Sequence, residues 1–285
     1  MKKILIYVLI CMLVSASIGM SVAGNVLPEQ VSYPLINGNI LYVGGSGPNN
    51  YTRIQDAVDN AIDGDTVFVY DDSAPYYETV SINKSIHLIG ESKKTTVIDG
   101  RNRVVAVALT ADEITFTGFT VQNATLSMSH GMYVRSNDNF IIDNIFSNNW
   151  FSDIYLDHSN NNTIRENTFK YSLIGMWLVD SNDTTITRNN ITKNSDIGIF
   201  LIDSKRNNIS ENNIMDNDYH DALFYRLPHA PPLSNNWDAN YWGRPYFLPK
   251  LIYGFLARGR WISHFPRLNF DWHPAKEPYD IPGMT

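Results

Sequence analysis

The sequence has one cysteine, Cys11, and it lies inside an apolar run from Ile4 to Val14. Lys2 and Lys3 precede that run and small residues ending Ser21-Val22-Ala23 follow it, which reads as a secretory signal peptide over residues 1–23. Cys11 follows Ile10 rather than a small residue, so a lipid-modified cysteine is not expected. The mature chain then holds no cysteine, and an exported protein without disulfides must be held by its own core or by repetition. Long apolar runs are also missing. Ile4–Val14 is too short to span a bilayer and "YFLPKLIYGFLA" (246–257) too short and too interrupted, so no membrane span is expected after cleavage. Positive charge is scarce: 22 Lys and Arg stand against 29 Asp and Glu, a net charge of −7 that deepens by two when Lys2 and Lys3 leave. No basic patch is visible, which argues against nucleic acid as a partner. Acidic clusters with the spacing that calcium requires are absent as well.

Asparagine is abundant instead, and it recurs with a period. Residues 137–159, 160–181, 182–204 and 205–227 align as segments of 22 or 23 residues. Ile141, Ile164, Ile186 and Ile209 form one column, and Asn144, Asn167, Asn189 and Asn212 the next. Phe146, Phe169, Ile191 and Ile214 form a third. A further apolar pair runs through Met132, Ile154, Met176 and Ile199, and through Val134, Leu156, Leu178, Leu201 and Phe224. A period in the low twenties marks a solenoid, and the fixed leucine pattern of leucine-rich repeats is absent. Each segment holds two or three short alternating strands separated by Asn, Asp, Ser and Gly, as one coil of a parallel β-helix does, with coils pairing at ~4.8 Å. The Ile and Phe columns then stack in the core, and the Asn column forms an internal ladder at a turn.

Upstream, "YTRIQDAVDNAIDGDTVFVY" reads as a short amphipathic helix, about 52–63, and then a strand. Ile54, Ala57, Val58 and Ala61 form its apolar face, and it is the natural lid for an open first coil. The stretch "DGDTVFVY…YYETVSINKSIHLIGE…TTVIDG" resembles the first coils of the right-handed parallel β-helix, pectin-lyase-like superfamily. It looks closest to the NosD-type, carbohydrate-binding-and-sugar-hydrolase group of exported repeat proteins. The resemblance covers residues 41–227 and implies the fold; that fold carries lyases, hydrolases, esterases and non-catalytic binders. The expected organisation is a signal peptide (1–23), a linker (24–40), an all-β helical domain (41–227) and a non-repetitive tail (228–285). The tail is dense in Pro, Trp, Tyr and Phe, and is expected to pack back on the last coil.

Between the inward columns of the coils lies an outward one: Tyr133, Tyr155, Trp177 and Phe200, continued by Leu223. A row of rings stacks on sugar faces, while bordering polar groups bond hydroxyls. The competing use is cover by the tail or by a second subunit, favoured by Val179 and Ile202 beside it. Asp180 and Asp203 share a column on adjacent coils, at the ~5 Å carboxyl separation of a retaining glycosidase. The Ser159, Ser181 and Ser204 that follow His158, Asp180 and Asp203 make turn capping the alternative. Ser129-His130-Gly131 matches a fragment of the polygalacturonase signature, without that family's upstream aspartates or its downstream Arg-x-Lys. "GRPY" (243–246) resembles the arginine motif of pectin methylesterases; Arg244 would then bind a nucleophile supplied by Asp153. NosD-type proteins are associated with periplasmic copper delivery, and Met128, His130 and Met132 alternate as a strand-borne Cu(I) set would. Sequons stand at Asn50, Asn83, Asn123, Asn161, Asn182, Asn190 and Asn208, and used ones must be exposed.

These features predict a secreted or cell-surface β-helix that binds polysaccharide or a cell-surface glycan along the aromatic row, with no clear catalytic signature and no required cofactor. The alternatives are a carbohydrate-active hydrolase or pectin-esterase-like enzyme, a homo-oligomeric or surface-layer protein assembling through the same face, and a copper-related periplasmic protein.

Overall fold

Runs of three to six alternating residues, each broken by Asn, Asp or Ser, permit only short strands. The computed structural model, which describes residues 38–226, 234–258 and 261–282, winds them into three parallel sheets. The expected signal peptide and all but the last residues of the linker lie outside the described residues. The first sheet holds β3 (Val80–Ile82), β6 (Val105–Leu109), β9 (His130–Val134), β12 (Ser152–Asp157), β15 (Ile174–Val179), β18 (Ile197–Ile202), β21 (His220–Arg226) and β23 (Lys250–Arg258). The second holds β1 (Ile40–Val43), β2 (Thr66–Val69), β4 (His87–Gly90), β7 (Thr115–Thr117), β10 (Phe140–Ile142), β13 (Thr163–Arg165), β16 (Thr185–Thr187), β19 (Asn208–Ser210) and β22 (Asn236–Asp238). The third holds β5 (Val97–Asp99), β8 (Thr120–Gln122), β11 (Ile145–Ser147), β14 (Thr168–Lys170), β17 (Asn190–Thr192) and β20 (Asn213–Met215). Each coil visits the sheets in that order, so the chain is a parallel β-helix.

The columns read from the sequence are the core. Ile141, Ile164, Ile186 and Ile209 pair coil to coil, and Trp237 continues them. Phe146 stacks on Phe169 with ring centroids 5.1 Å apart and planes 8° apart. All of these side chains are buried, each worth roughly 1.5–3 kcal/mol against exposure. The Asn ladder forms at the turn between the second and third sheets. The backbone N–H groups of Asn144, Asn167 and Asn189 donate to the Oδ1 of Asn167, Asn189 and Asn212 at 2.9, 3.0 and 2.9 Å. The residue before each ladder Asn takes the left-handed conformation: Asp143, Glu166, Arg188 and Glu211 have φ of 53–59°. That conformation costs a non-glycine residue about 1–2 kcal/mol, which the ladder bonds offset.

Helix α1 (Ile54–Asn60) covers the first coil with Ile54, Ala57 and Val58 buried. Both its ends are capped from the coil beneath. The Glu78 carboxylate accepts the amides of Ile54 (2.9 Å) and Gln55 (3.0 Å). The Lys84 ammonium donates to the carbonyls of Val58, Asp59 and Ala61 at 3.1, 2.7 and 2.6 Å.

The tail joins the helix as strands. β22 extends the second sheet and β23 the first, and β23 turns back antiparallel into β24 (Trp261–Asp271). Residues 272–282 then return along the coils: Tyr279 N donates to Asn213 Oδ1 (2.8 Å), Arg188 Nη2 to Asp280 O (3.1 Å) and Lys93 Nζ to Pro282 O (2.6 Å).

Candidate functional site

The outer face of the first sheet carries the aromatic column in register. Tyr133, Tyr155, Trp177 and Phe200 are consecutive partners, followed by Leu223 and Tyr253, so β23 lengthens the row instead of lying over it. The rings pack on one another. Tyr155 and Trp177 stack at 4.5 Å and 21°, Trp177 and Phe200 at 6.4 Å and 12°, and Tyr133 and Tyr155 tilt at 5.5 Å. Phe151 closes on Trp177 from the neighbouring turn, 5.3 Å away. With Leu173, Tyr225 and Phe255 these rings cover Ile174, Ile197 and Leu223, making a second apolar cluster outside the coil. Ring faces are therefore largely used by neighbouring rings, each of the four rings is half-buried, and Trp177 Nε1 is buried without a hydrogen-bond partner.

A polar margin runs beside the row. Tyr133 Oη donates to Asp157 Oδ2 (2.8 Å), His158 Nδ1 lies 2.6 Å from Asp157 Oδ1, and Arg135 Nε lies 3.9 Å from Asp157 Oδ2. Burial alone would raise the Asp157 pKa, but the hydrogen bonds from His158 and Tyr133 outweigh it and leave the carboxyl below its ordinary range. Asp157 and Arg135 were not singled out in the sequence, although both stand at outward positions one step past the row.

Asp180 and Asp203 do share a column, since Val179 pairs with Ile202 just before them. Both have left-handed backbones, φ 46° and 49°, matching His158 at 52°. His158 Nε2 stands 3.6 Å from Asp180 Oδ2. The serines that follow form their own ladder, Ser159 N to Ser181 Oγ and Ser181 N to Ser204 Oγ, each 3.1 Å. The column is thus a repeated turn, with a left-handed residue followed by a laddered serine on each coil.

The structure separates Met128, His130 and Met132. Met132 is fully buried in the core, Met128 is exposed, and His130 packs outward against Phe151, Tyr155 and Trp177. Alternation fails here because two successive residues, 131 and 132, turn inward. A side chain at Gly131 would meet Asn149 Nδ2 at 2.5 Å. Burial also pushes the His130 imidazole down to about 4, and its Nδ1 is hydrogen-bonded to Ser152 Oγ (2.7 Å). The three residues do not fit a copper site, and no group of three His, Cys, Asp or Glu among the described residues is placed to hold a metal.

The same inward turn places Asp153 inside the coil. It is completely buried, with Oδ1 accepting from Ser172 Oγ (2.6 Å) and Asn149 Nδ2 (2.9 Å). Arg244 stacks on Tyr246 in the tail, so the esterase pairing of Asp153 with Arg244 does not form. In the Ser-His-Gly triplet, Ser129 is buried and bonded to the Ala124 carbonyl (2.5 Å). Of the sequons, Asn83, Asn161 and Asn208 are exposed, whereas Asn50, Asn123 and Asn182 are half-buried. Asn190 is buried, which takes it out of reach of a glycan transferase.

Three parallel ladders, an internal Asn ladder and a helical lid define a parallel β-helix protein of pectin-lyase-like fold. The chain belongs to the NosD family, described as "Periplasmic copper-binding protein (NosD)", whose model matches residues 58–226. Among solved structures, it is similar to the pectate lyase Pel9A, with a TM-score of 0.53 and 15% identity over 76% of this chain. The match spans 61% of that lyase. It is also similar to the pectin methylesterase PemA from Erwinia chrysanthemi, with a TM-score of 0.44 and 9% identity over 88% of this chain and 92% of that one. No curated protein matches the sequence.

Proposed function

We propose that this protein acts outside the cytoplasm as a polysaccharide- or glycoconjugate-binding protein, with its ligand lying along the outer face of the first sheet. The observation that carries this reading is the in-register row from Tyr133 to Phe200, prolonged to Tyr253, beside the Tyr133–Asp157–Arg135 margin. A polymer parallel to the helix axis meets a new apolar side chain at every coil, about 4.8 Å apart, and a hydroxyl-bonding group at the margin. Because the ring faces are stacked on one another, contact is made through the half of the row left open to solvent. The periplasmic character of the NosD family supports the location. Copper has no part in this reading, because its candidate ligands do not converge. Assembly through the same face is disfavoured because the rings already cover Ile174, Ile197 and Leu223.

The test is native affinity electrophoresis through gels containing different polysaccharides. Wild-type protein should be retarded in one gel, and Trp177→Ala should run freely there while keeping the wild-type circular dichroism. Trp177→Phe, which keeps a ring, should bind within a few-fold of wild type. Equal mobility of all three in every gel would reject the proposal.

A further inference from the structure

The turns joining the third sheet to the first line one edge of the helix, and that edge differs from the rest of the surface. Hydrogen bonds join these turns coil by coil. Arg103 Nη2 donates to Tyr77 O (2.8 Å), Leu126 N to Arg103 O (3.5 Å) and Trp150 N to Ala124 O (2.8 Å). Asn148 N then donates to Lys170 O, and Tyr171 N to Lys193 O, each 3.2 Å. Every turn from the first to Tyr171 offers an apolar tip: Tyr77, Val104, Leu126, Met128, Trp150 and Tyr171 are each 42–56% exposed. Apolar residues scattered singly on a surface are ordinary, but a continuous line of them marks an interaction site.

Charge on this edge is basic along most of its length. From Tyr77 to Ser195 the exposed or half-exposed charged side chains in or bordering these turns are Arg101, Arg103, Lys170 and Lys193. The nearby acids are buried: Glu78 caps α1, Asp99 binds Arg101 through both oxygens at 3.1 Å, and Asp153 lies in the core. Arg101 stands 4.5 Å over the Tyr77 ring, and Lys170 and Lys193 stand 5.5 and 5.9 Å from the Tyr171 ring. Acidic side chains enter only at Asp196, Asp216 and Asp218. In a chain of net charge −7, this is a local basic strip. It escapes a linear scan because its cations are spread over more than ninety residues and are aligned only by the coiling.

We infer that this edge docks on an anionic bilayer surface. Val104, Leu126 and Met128 have nothing to offer a hydroxyl-rich polymer, yet they partition into the boundary between headgroups and acyl chains. Trp150, Tyr77 and Tyr171 suit the same depth, where one end of the ring is apolar and the other wet. Arg103, Lys170 and Lys193 meet anionic headgroups within a Debye length, while Arg101 is matched by Asp99. The binding is reversible, since no tip is long enough to anchor the protein. It adjoins the glycan row on the neighbouring sheet face, touching it where Trp150 stacks on Phe151.

Co-sedimentation of the protein lacking residues 1–23 with vesicles tests this. Vesicles containing phosphatidylglycerol should bind it at least tenfold more tightly than vesicles of phosphatidylcholine alone, and raised salt should reverse that preference. Leu126→Glu combined with Met128→Glu should lower binding at least tenfold. Lys170→Glu combined with Lys193→Glu should abolish the preference for phosphatidylglycerol. Leu126, Met128 and Lys193 lie in surface turns and Lys170 ends β14, and unchanged circular dichroism would show that the fold persists. Equal binding to both vesicle types, or full binding by either double variant, would overturn the inference. So would a concentration-dependent dimer, or retention on an acidic polysaccharide, that the Leu126/Met128 variant loses, because the edge would then serve a second copy or a glycan.

Discussion

Asp153 shares its stack position with glycine on three neighbouring coils, Gly131, Gly175 and Gly198. A side chain at Gly175 would come within 2.9 Å of Asn194 Nδ2, and one at Gly198 within 2.7 Å of Asn217 Nδ2. Asp153 lives in the same confined corner by bonding Asn149 and Ser172, but its Oδ2 is buried without a partner. Burial pushes its pKa up to about 8, against the opposing hydrogen bonds. The folded state thus holds this proton where the unfolded chain releases it. Its contribution to stability is complete below the ordinary carboxyl range and is lost as pH rises toward 8, by an amount on the order of a few kcal/mol. Asp153→Asn should therefore flatten the fall of the thermal midpoint between pH 5 and pH 8.5 and exceed wild type at the upper end. A wild-type midpoint that stays level over that range would show that no such proton is held. This corner also marks the limit of reading side-chain direction from sequence. Strict alternation puts residues 130 and 132 on one face and 131 and 153 on the other, whereas the chain turns two successive residues inward. The recurrent glycine was the available signal.

At the scale of elements, the columns were legible because a period of 22 or 23 residues brings like side chains into register, and parallel pairing preserves that register. The row from Tyr133 to Phe200 was legible for the same reason, but its ring-on-ring packing depends on side-chain rotation that spacing leaves open. Helix α1 is shorter than the expected 52–63, since its ends are set by Glu78 and Lys84 from the coil below. The ladder is the element most exposed to mutation. Asn167 Oδ1 accepts from both nitrogens of Asn144, at 2.9 and 3.1 Å, and its Nδ2 donates to Ile141 O (2.7 Å) and Asn189 Oδ1 (3.2 Å). Asn167→Ala strands several buried groups at once and should cost about 2–4 kcal/mol in denaturant unfolding. The same change at Asn137, whose amide lies in an exposed outer ladder, should cost well under half of that.

On the scale of the whole molecule, the last described residues tie together coils far apart in sequence. Tyr279 engages Asn213, Asp280 engages Arg188, and Pro282 reaches Lys93, which also bonds Asp143. Truncation after Trp272 should lower the thermal midpoint by on the order of 5 °C in calorimetry and speed amide exchange in β17 and β20. Composition showed that this segment is aromatic and ordered, but its path depends on contacts with residues up to 189 positions away.

The Asn ladder has a direction, and it has a last member. Asn212 N donates to Asn240 Oδ1 (3.1 Å), and Asn240 N and Nδ2 donate to Asp271 Oδ2 (2.9 and 3.1 Å), which also receives Trp242 Nε1 (3.0 Å). A carboxylate accepts without owing a proton onward, so it closes the series where another amide would leave its own donors empty. With one end written by α1 and the other by Asp271, neither end of the ladder counts the coils between them; the returning segment does, because Tyr279 holds Asn213 while Pro282 holds Lys93. A second copy of residues 182–204 inserted after Ser204 should fold and add ~4.8 Å to the hydrodynamic length, leaving α1 and the Asp271 closure intact and losing the Lys93–Pro282 bond. Growth of this protein by duplication needs no redesign of its two caps, only a longer strap across the added coil.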